Sequence, residues 1–220
     1  MKKIKNNNLV DLVYQRIKSM ILDGILIPGH KINKLELSDQ LGVSITPVNE
    51  VVNRLTGEKL LEKRGRKGYF VKKLTIKDLI DFFTVRAGLE GVALRICIED
   101  LTEEKLNEFE KFFQGYQLPL KEEEIKRYMK EDQVFHEKII ELCGNSIIKD
   151  FDRSFDFVMK SYQKGLVRPP EETLPEHQEI IRAIKEKRSQ RAQEILINHH
   201  IKSMQALKVK YLSEKENIDE

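Results

Sequence analysis

The sequence lacks tryptophan and contains only two cysteines, Cys97 and Cys143, among its 220 residues. The two lie far apart and match no metal or redox spacing, so we expect buried free thiols. No stretch approaches 18 uninterrupted apolar residues, and the first residues lack the apolar segment of a secretory signal. We therefore expect a cytoplasmic protein that does not contact a membrane. Glycine and proline are also scarce, at 11 and 6 residues, which is typical of a helix-rich protein.

The charged residues are divided unequally along the chain. Residues 1–74 contain 15 Lys and Arg against 7 Asp and Glu, whereas residues 75–220 contain 24 against 29. A basic segment joined to an acidic one predicts two domains, of which the first contacts a polyanion. We place the domains at residues 1–74 and 75–212, and we expect residues 213–220, SEKENIDE, to form a flexible tail.

The first domain has the pattern of a winged helix-turn-helix. Helices are predicted at residues 9–22, 34–41 and 44–55, and strands at residues 59–63 and 69–73. Gly42 is the expected left-handed C-cap of the second helix, and Ser44 the N-cap of the third. The third helix, SITPVNEVVNRL, is predicted to be the recognition helix, and the basic turn RGRKG between the strands is interpreted as the wing. Residues 25–31 are predicted to be an extended link.

Polar and basic side chains of this domain, together with Ile45, are expected to contact duplex DNA. These residues lie on the recognition helix outside its apolar face, before that helix, or on the wing. They are Lys34, Ser44, Ile45, Thr46, Asn49, Asn53, Arg54, Arg64, Arg66 and Lys67. One short recognition helix offers few base contacts, whereas the two helices of a symmetric dimer read the two half-sites of a palindrome. We therefore expect a double-stranded operator to be bound by a homodimer.

The second domain is predicted to be an antiparallel bundle of six helices. They are expected at residues 75–99, 103–114, 122–143, 146–166, 176–187 and 189–212. The fold class is thus mainly α, with a small β wing in the first domain.

Four residues of the bundle have the spacing of a metal site. Asp132 and His136 are four residues apart and share a helix face, while His177 and His199 are each 11 residues from a turn near Arg188. Three imidazoles and a carboxylate suit zinc, nickel, cobalt or iron better than calcium or magnesium. A helical histidine is equally compatible with a surface or satisfied core position, and we interpret two others, His30 and His200, in that way.

Three motifs of the first domain resemble the GntR family of bacterial transcription regulators. They are Gly24 to Gly29, Leu41 to Val48, and Gly65 to Val71. The family commonly has arginine where this chain has Ile45 and Asn49, so the operator is expected to differ. Asparagine suits adenine, whereas isoleucine either touches a thymine methyl group or simply packs.

Residues 75–212 resemble the FCD effector domain of the FadR-like branch of that family. The matching features are Arg86 with Glu90, Asp132 with His136, the Gly144-Asn145 turn, His177 in EHQEIIRAI, and Ala192 with His199. The resemblance implies a divalent metal at Asp132, His136, His177 and His199, with zinc expected and nickel, cobalt, iron or manganese as alternatives. It also implies a small organic acid as effector. Arg86 is then either the partner of the effector carboxylate or one half of an ion pair with Glu90.

Two other functions are compatible with a histidine-rich site. A metallohydrolase would use the metal to activate water, but the nearest acid, Glu137, follows His136 directly and is turned about 100° away on a helix. A DNA-binding dimer with a purely structural metal would have no effector. We predict a metal-dependent, ligand-responsive transcription regulator that is not an enzyme and has no catalytic residues.

Overall fold

The computed structural model describes residues 7–152 and 167–216, and these form two compact units that are divided between Leu74 and Thr75. Both units are mainly helical, with one small sheet in the first, so the predicted fold class is confirmed. No helix within the described ranges is long and apolar enough to cross a membrane.

The first unit is a winged helix-turn-helix. Its helices are α1 (Asn7–Leu22), α2 (Lys34–Leu41) and α3 (Ile45–Gly57), and its strands are β1 (Lys31–Ile32), β2 (Leu61–Lys63) and β3 (Tyr69–Val71). The antiparallel sheet has β3 in its centre, where Phe70 lies opposite Lys31 of β1 and Glu62 of β2. A short 3-10 turn, Gly65–Lys67, connects the two wing strands.

The recognition helix is held by its apolar face. Val48, Val51, Val52 and Leu55 are all fully buried, and α3 packs against both α1 and α2. These side chains recur at helical spacing, so one face of α3 enters the core and the opposite face remains outside. Gly42 adopts the expected left-handed conformation, with φ 64°, and its N–H donates to the end of α2.

Three local predictions in this unit are corrected. Strand β1 was not predicted, because the link that contains it has no alternating pattern, yet it pairs with β3. Strand β2 starts at Leu61 rather than at residue 59, because Lys59 has φ 60° and donates its N–H to the carbonyl of Thr56 at the end of α3. Ser44 occupies the N-cap position, but within the described residues its hydroxyl forms no capping hydrogen bond.

The second unit is a helical bundle. Its helices are α4 (Ile76–Glu99), α5 (Glu103–Glu110), α6 (Glu122–Leu142), α7, which begins at residue 146 and is described to residue 152, α8 (Pro170–Lys185) and α9 (Ser189–Glu216). The prediction of a helix at 146–166 lies partly outside the described residues. Thr75 caps α4 through a reciprocal capping box with Asp78, and Thr102 caps α5.

Helix ends account for the other differences. Helix α8 begins at Pro170 rather than at residue 176, because a proline at the first position of a helix needs no donor and Pro175 is accommodated inside the helix. Helix α5 ends at Glu110 rather than at 114, since Phe113 has φ 57° and donates its N–H to Glu131 Oε1 at 2.6 Å. Helix α9 extends to Glu216, so the tail predicted from residue 213 starts with helix.

Helices α4 and α9 form the most extensive pairing in the bundle. They run antiparallel, because Thr84 contacts Met204 at 2.9 Å whereas Glu90, farther along α4, contacts His200, which is earlier in α9. Helices α8 and α9 are joined by residues 186–188 and form a hairpin. Cys97 and Cys143 are buried free thiols, as predicted.

Candidate metal centre and DNA-binding surface

The bundle brings the four predicted metal ligands together. Asp132 and His136 come from α6, His177 from α8 and His199 from α9, and one ligand atom from each lies within 4.8 Å of the others. Asp132 Oδ1 is 3.3 Å from His177 Nε2 and 3.9 Å from His136 Nε2. Ligands about 2.1 Å from one zinc ion are themselves about 3 to 4 Å apart, so small side-chain movements would suffice to share an ion.

The orientation of His177 is set by a chain of hydrogen bonds. The Thr173 hydroxyl donates a hydrogen bond to the carbonyl of Pro169, so it accepts a hydrogen bond from the Tyr128 hydroxyl, which is 2.7 Å away. Tyr128 in turn accepts from His177 Nδ1 at 2.8 Å. These hydrogen bonds place the proton of His177 on Nδ1 and the free lone pair on Nε2. His177 Nε2 is buried and has no hydrogen-bond partner among the described residues.

The other two histidines are oriented by carboxylates. His136 Nδ1 is 2.5 Å from Glu90 Oε2, and His199 Nδ1 is 2.8 Å from Glu176 Oε2. A carboxylate can only accept, so both rings donate from Nδ1 and leave Nε2 free for a metal. Such carboxylate–histidine pairs fix the ring orientation and raise the basicity of the ligand.

The residues fit a divalent transition metal. One nitrogen from each of the three histidines and a carboxylate oxygen lie within 4.8 Å of one another, each Nδ1 has an acceptor, and His177 Nε2 is an unpartnered buried atom among the described residues. Imidazole-rich sites of this composition suit zinc and its neighbours in the first transition row.

Burial controls the ionisation of the site. It is the main cause that lowers the pKa of His177 well below its ordinary value and the pKa of His199 to about 3. Both rings are therefore neutral at neutral pH, which is the form that binds metals. Burial alone would raise the pKa of Glu90, but the charge of Arg86, together with the neighbouring His136 ring, holds the pKa well below its ordinary value. Glu90 is thus a carboxylate that accepts hydrogen bonds.

A small cavity of about 40 Å³ lies beside the four ligands. Asp132, His136 and His199 line it together with two arginines, Arg86 and Arg168. The cavity has room for a few atoms of a ligand, so a larger ligand requires its lining to move.

Both arginines already have carboxylate partners. Arg86 forms an ion pair with Glu90 and its side chain is 21% exposed. The ion pair with Glu90 is therefore compatible with the other predicted role of Arg86, as the partner of an effector carboxylate. Arg168 is 5% exposed and contacts Glu176 at 2.5 Å and Glu172 at 3.3 Å. A ligand carboxylate would compete with these side chains for the guanidinium groups.

Several site residues were missed by the sequence reasoning. His200, interpreted as a surface or satisfied core residue, is buried; its Nε2 lies 2.9 Å from Glu90, while its Nδ1 has no partner in the described part of the chain. Tyr128 lies four residues before Asp132 on the same face of α6, which is a signal that the sequence contained. Arg168 lies in the segment before α8, where no periodicity could have indicated it. His30 is exposed, as expected.

The outward face of α3 carries a connected set of polar side chains. Lys34 Nζ, at the start of α2, donates to Asn49 Oδ1 at 2.8 Å, and it lies 4.3 Å from the centre of the Tyr69 ring. The Tyr69 hydroxyl contacts Asn53 Oδ1 at 3.2 Å. Ser44, Thr46 and Asn53 are exposed, and Ile45 and Asn49 are half-buried.

Arg54 links α3 to α1. Its guanidinium contacts Asp11 at 3.0 Å and Glu58 at 3.3 Å, and it lies 3.9 Å from the centre of the Tyr14 ring. The side chain remains 46% exposed, so its contact with DNA stays a prediction.

The wing presents basic side chains at its tip. Arg64 contacts Glu62 at 2.5 Å and stacks on the Phe70 ring at 4.5 Å, so its guanidinium is held along the strands. Arg66 and Lys67 are exposed on the 3-10 turn, and they have no ion pair within the described residues. Their charges are thus available to a polyanion.

Two family profiles cover most of the chain. The profile "Bacterial regulatory proteins, gntR family" matches residues 9–71, and the profile of the FCD domain matches residues 81–202, more than half of the chain. This chain belongs to the GntR family and has an FCD domain. It is a transcription regulator of the GntR/FCD type, and a DNA operator is the partner that its helix-turn-helix implies.

Other bacterial regulators are similar in sequence to this GntR/FCD chain, some over most of its length and some over about half. The uncharacterized HTH-type transcriptional regulator YdhC of Bacillus subtilis is 28% identical over 215 residues, which cover 93% of each chain. The Nta operon transcriptional regulator of Aminobacter aminovorans is 35% identical over 123 residues, 54% of this chain and 56% of that protein. The solved structure of E. coli McbR/YncC has a TM-score of 0.69 at 22% identity, and the match covers 92% of this chain and 98% of that one. The last likeness supports the fold alone.

Proposed function

We propose that this GntR/FCD regulator is a homodimer that contains a divalent metal, most simply zinc, and responds to a small organic acid. The convergence of one nitrogen from each of the three histidines and the Asp132 carboxylate, with an acceptor at every Nδ1, carries the proposal. Asp132, His136, His177 and His199 would hold the ion, and the bound ion would supply positive charge for a ligand carboxylate.

The two cavity arginines support an acidic effector. Arg86 and Arg168 place two guanidinium groups beside the ligand cluster, and each is paired with a carboxylate of the chain. An effector carboxylate that replaced such a partner would keep the guanidinium group paired, and the displaced carboxylates would retain their hydrogen bonds from His136 and His199. Arg86 would orient the acid from α4, and Arg168 from the segment before α8.

Metal analysis tests the metal part of the proposal. Purified full-length protein is expected to hold about one divalent ion per chain, because one four-ligand cluster holds one ion. The double variant His177→Ala/His199→Ala is expected to lose it, whereas His30→Ala, which changes an exposed histidine of the other unit, is a matched control that should keep it. A double variant that is folded and still holds the full amount of metal would place the metal elsewhere.

DNA titration tests the other part. Binding to a selected operator should weaken steeply as salt rises, because Arg66, Lys67 and other wing side chains displace counterions from phosphates. Two protomers are expected on each operator, since a palindrome offers two half-sites. Equal affinity for selected and random DNA at every salt concentration would contradict this function.

A further inference from the structure

The contact between Lys34 and Asn49 determines which atoms the recognition helix offers to a base. An ammonium group has three donors and no acceptor, so only the oxygen of the Asn49 amide can face Lys34. The 2.8 Å contact between Lys34 Nζ and Asn49 Oδ1 therefore fixes the orientation of the amide. Its Nδ2 group, with two donors, is directed away from Lys34.

Tyr69 keeps Lys34 in place. The ring lies 4.3 Å from Lys34 Nζ, in the range of a cation–π interaction. Tyr69 belongs to the central strand of the sheet and is paired with Ile32 on one side and Lys63 on the other, so its backbone position is well determined. Lys34 has no carboxylate partner in the described part of the chain, and its remaining N–H groups are also donors.

We propose that Lys34 and Asn49 act as one donor-only unit that reads guanine rather than adenine. Guanine presents two neighbouring acceptors, O6 and N7, in the major groove, whereas adenine presents one acceptor and the N6 amino donor. An asparagine alone pairs with adenine by using its oxygen and its nitrogen together. Here the oxygen faces an ammonium group, whose charge repels a second donor. The inference rests on the proposed function, because it assumes that this face of α3 enters the major groove.

At the position of Asn49 the family commonly has arginine. The asparagine of this chain would then change the geometry of recognition but not the base that is read. Arginine reads guanine with two donors from a single side chain. In this chain, the amide of Asn49 and the ammonium group of Lys34 together supply an equivalent set of donors from two helices. The expectation from sequence, that Asn49 suits adenine, considered the residue without its neighbour.

Selection of binding sites from a random DNA library tests the inference with the full-length protein. Asn49→Ala first identifies the base pair that this residue reads, as the position where the preference is lost. Wild-type protein is expected to select guanine there, about tenfold over adenine, which is the discrimination typical of a pair of donors on guanine. Adenine at that position in the wild-type motif would overturn the proposal without any further variant.

Lys34→Met removes the ammonium group but keeps an unbranched side chain, and it should shift the preference at the Asn49 position from guanine towards adenine. Lys18→Met, on α1, is the matched control, since it removes the same charge from the same unit and should leave the selected base unchanged. An unchanged guanine preference in folded Lys34→Met protein would show that Asn49 acts alone. If wild-type protein enriches no motif at all, the proposed DNA-binding function fails, which is a separate outcome.

Discussion

At the scale of single residues, the candidate metal site depends on side chains that are not among its four proposed ligands. The hydroxyl of Tyr128 accepts a hydrogen bond from His177 Nδ1 and donates one to the hydroxyl of Thr173. Without that acceptor, a buried N–H of His177 would be unpaired, and the ring could turn or change its tautomer. The position of Nε2 is therefore as dependent on Tyr128 as on the backbone of α8.

Tyr128→Phe is expected to weaken metal affinity by about 10- to 100-fold, the usual effect of removing a second partner of a metal-bound histidine. Competition with a chromogenic chelator measures the affinity. Tyr116→Phe is a matched control on a neighbouring ring, because the Tyr116 hydroxyl contacts Glu131 and Arg127 rather than a ligand. Equal affinities of wild-type protein and Tyr128→Phe would mean that the hydrogen-bond chain does not position His177.

The sequence predicted the metal-ligand candidates better than their supporting residues. Spacing of four residues on α6, and equal distances from the α8–α9 turn, were sufficient to place Asp132, His136, His177 and His199 at one level of the bundle. The partners of their Nδ1 atoms depend on which helices are neighbours and how far apart they lie. Glu90 on α4 reaches His136 on α6 only because of that tertiary arrangement.

At the scale of elements, the close approach of α4 and α9 rests on one glycine. A Cβ atom added at Gly91 would lie 2.6 Å from Cγ1 and 2.9 Å from Cδ1 of Ile197, closer than side chains approach each other. Gly91 directly follows Glu90, and Ile197 is three residues before His200. The distance between the two helices at this level therefore controls the 2.9 Å contact between Glu90 and His200.

Gly91→Ala is expected to destabilise the helical unit by about 1 to 3 kcal/mol, the typical cost of overpacking. Gly88→Ala, one turn earlier on α4, is the matched control, because no atom lies within 4 Å of the added Cβ. It should instead stabilise the helix by about 0.5 to 1 kcal/mol, since alanine loses less conformational freedom than glycine. Urea denaturation measures the free energy of unfolding of both variants. Equal stability of Gly91→Ala and wild type would show that the Ile197 side chain moves aside at no cost.

Element boundaries were predictable where local chemistry decided them and not where tertiary contacts did. The predicted starts of α4 and α5 and the predicted end of α2 agree with the structure to within one residue, because the caps at Thr75, Thr102 and Gly42 are local hydrogen-bonding devices. The end of α5 was wrong, since the left-handed conformation of Phe113 is stabilised by the distant Glu131 and by stacking of its ring on His177 at 4.4 Å. Such contacts have no signature in the sequence.

At the scale of the whole molecule, the covalent path from the candidate metal site to the wing is short. Arg86 and Glu90 lie on α4, and Glu90 contacts His136 and His200 from two other helices. Helix α4 starts at Ile76, five residues after the end of β3 at Val71, and its first turn is closed by the capping box of Thr75. Helix α4 is therefore the element of the second unit that continues the chain from the wing.

The metal is expected to change operator affinity because it favours one arrangement of α4, α6, α8 and α9, and only its differential affinity for two arrangements counts. A coupling of about 1 to 3 kcal/mol corresponds to a change in operator affinity of roughly 5- to 150-fold. Titration of operator DNA with metal-loaded and chelator-treated protein measures it.

His177→Ala/His199→Ala should bind the operator like chelator-treated wild type and should not respond to added zinc, whereas His30→Ala should respond fully. Unfolding of the double variant, followed by calorimetry, would assign the metal a structural role. If the folded double variant responds to zinc as wild type does, the cluster in the bundle takes no part in the switch. If metal-loaded and chelator-treated wild type bind the operator equally, the metal alone does not distinguish the two arrangements, and any coupling would have to come from the proposed acidic effector at Arg86.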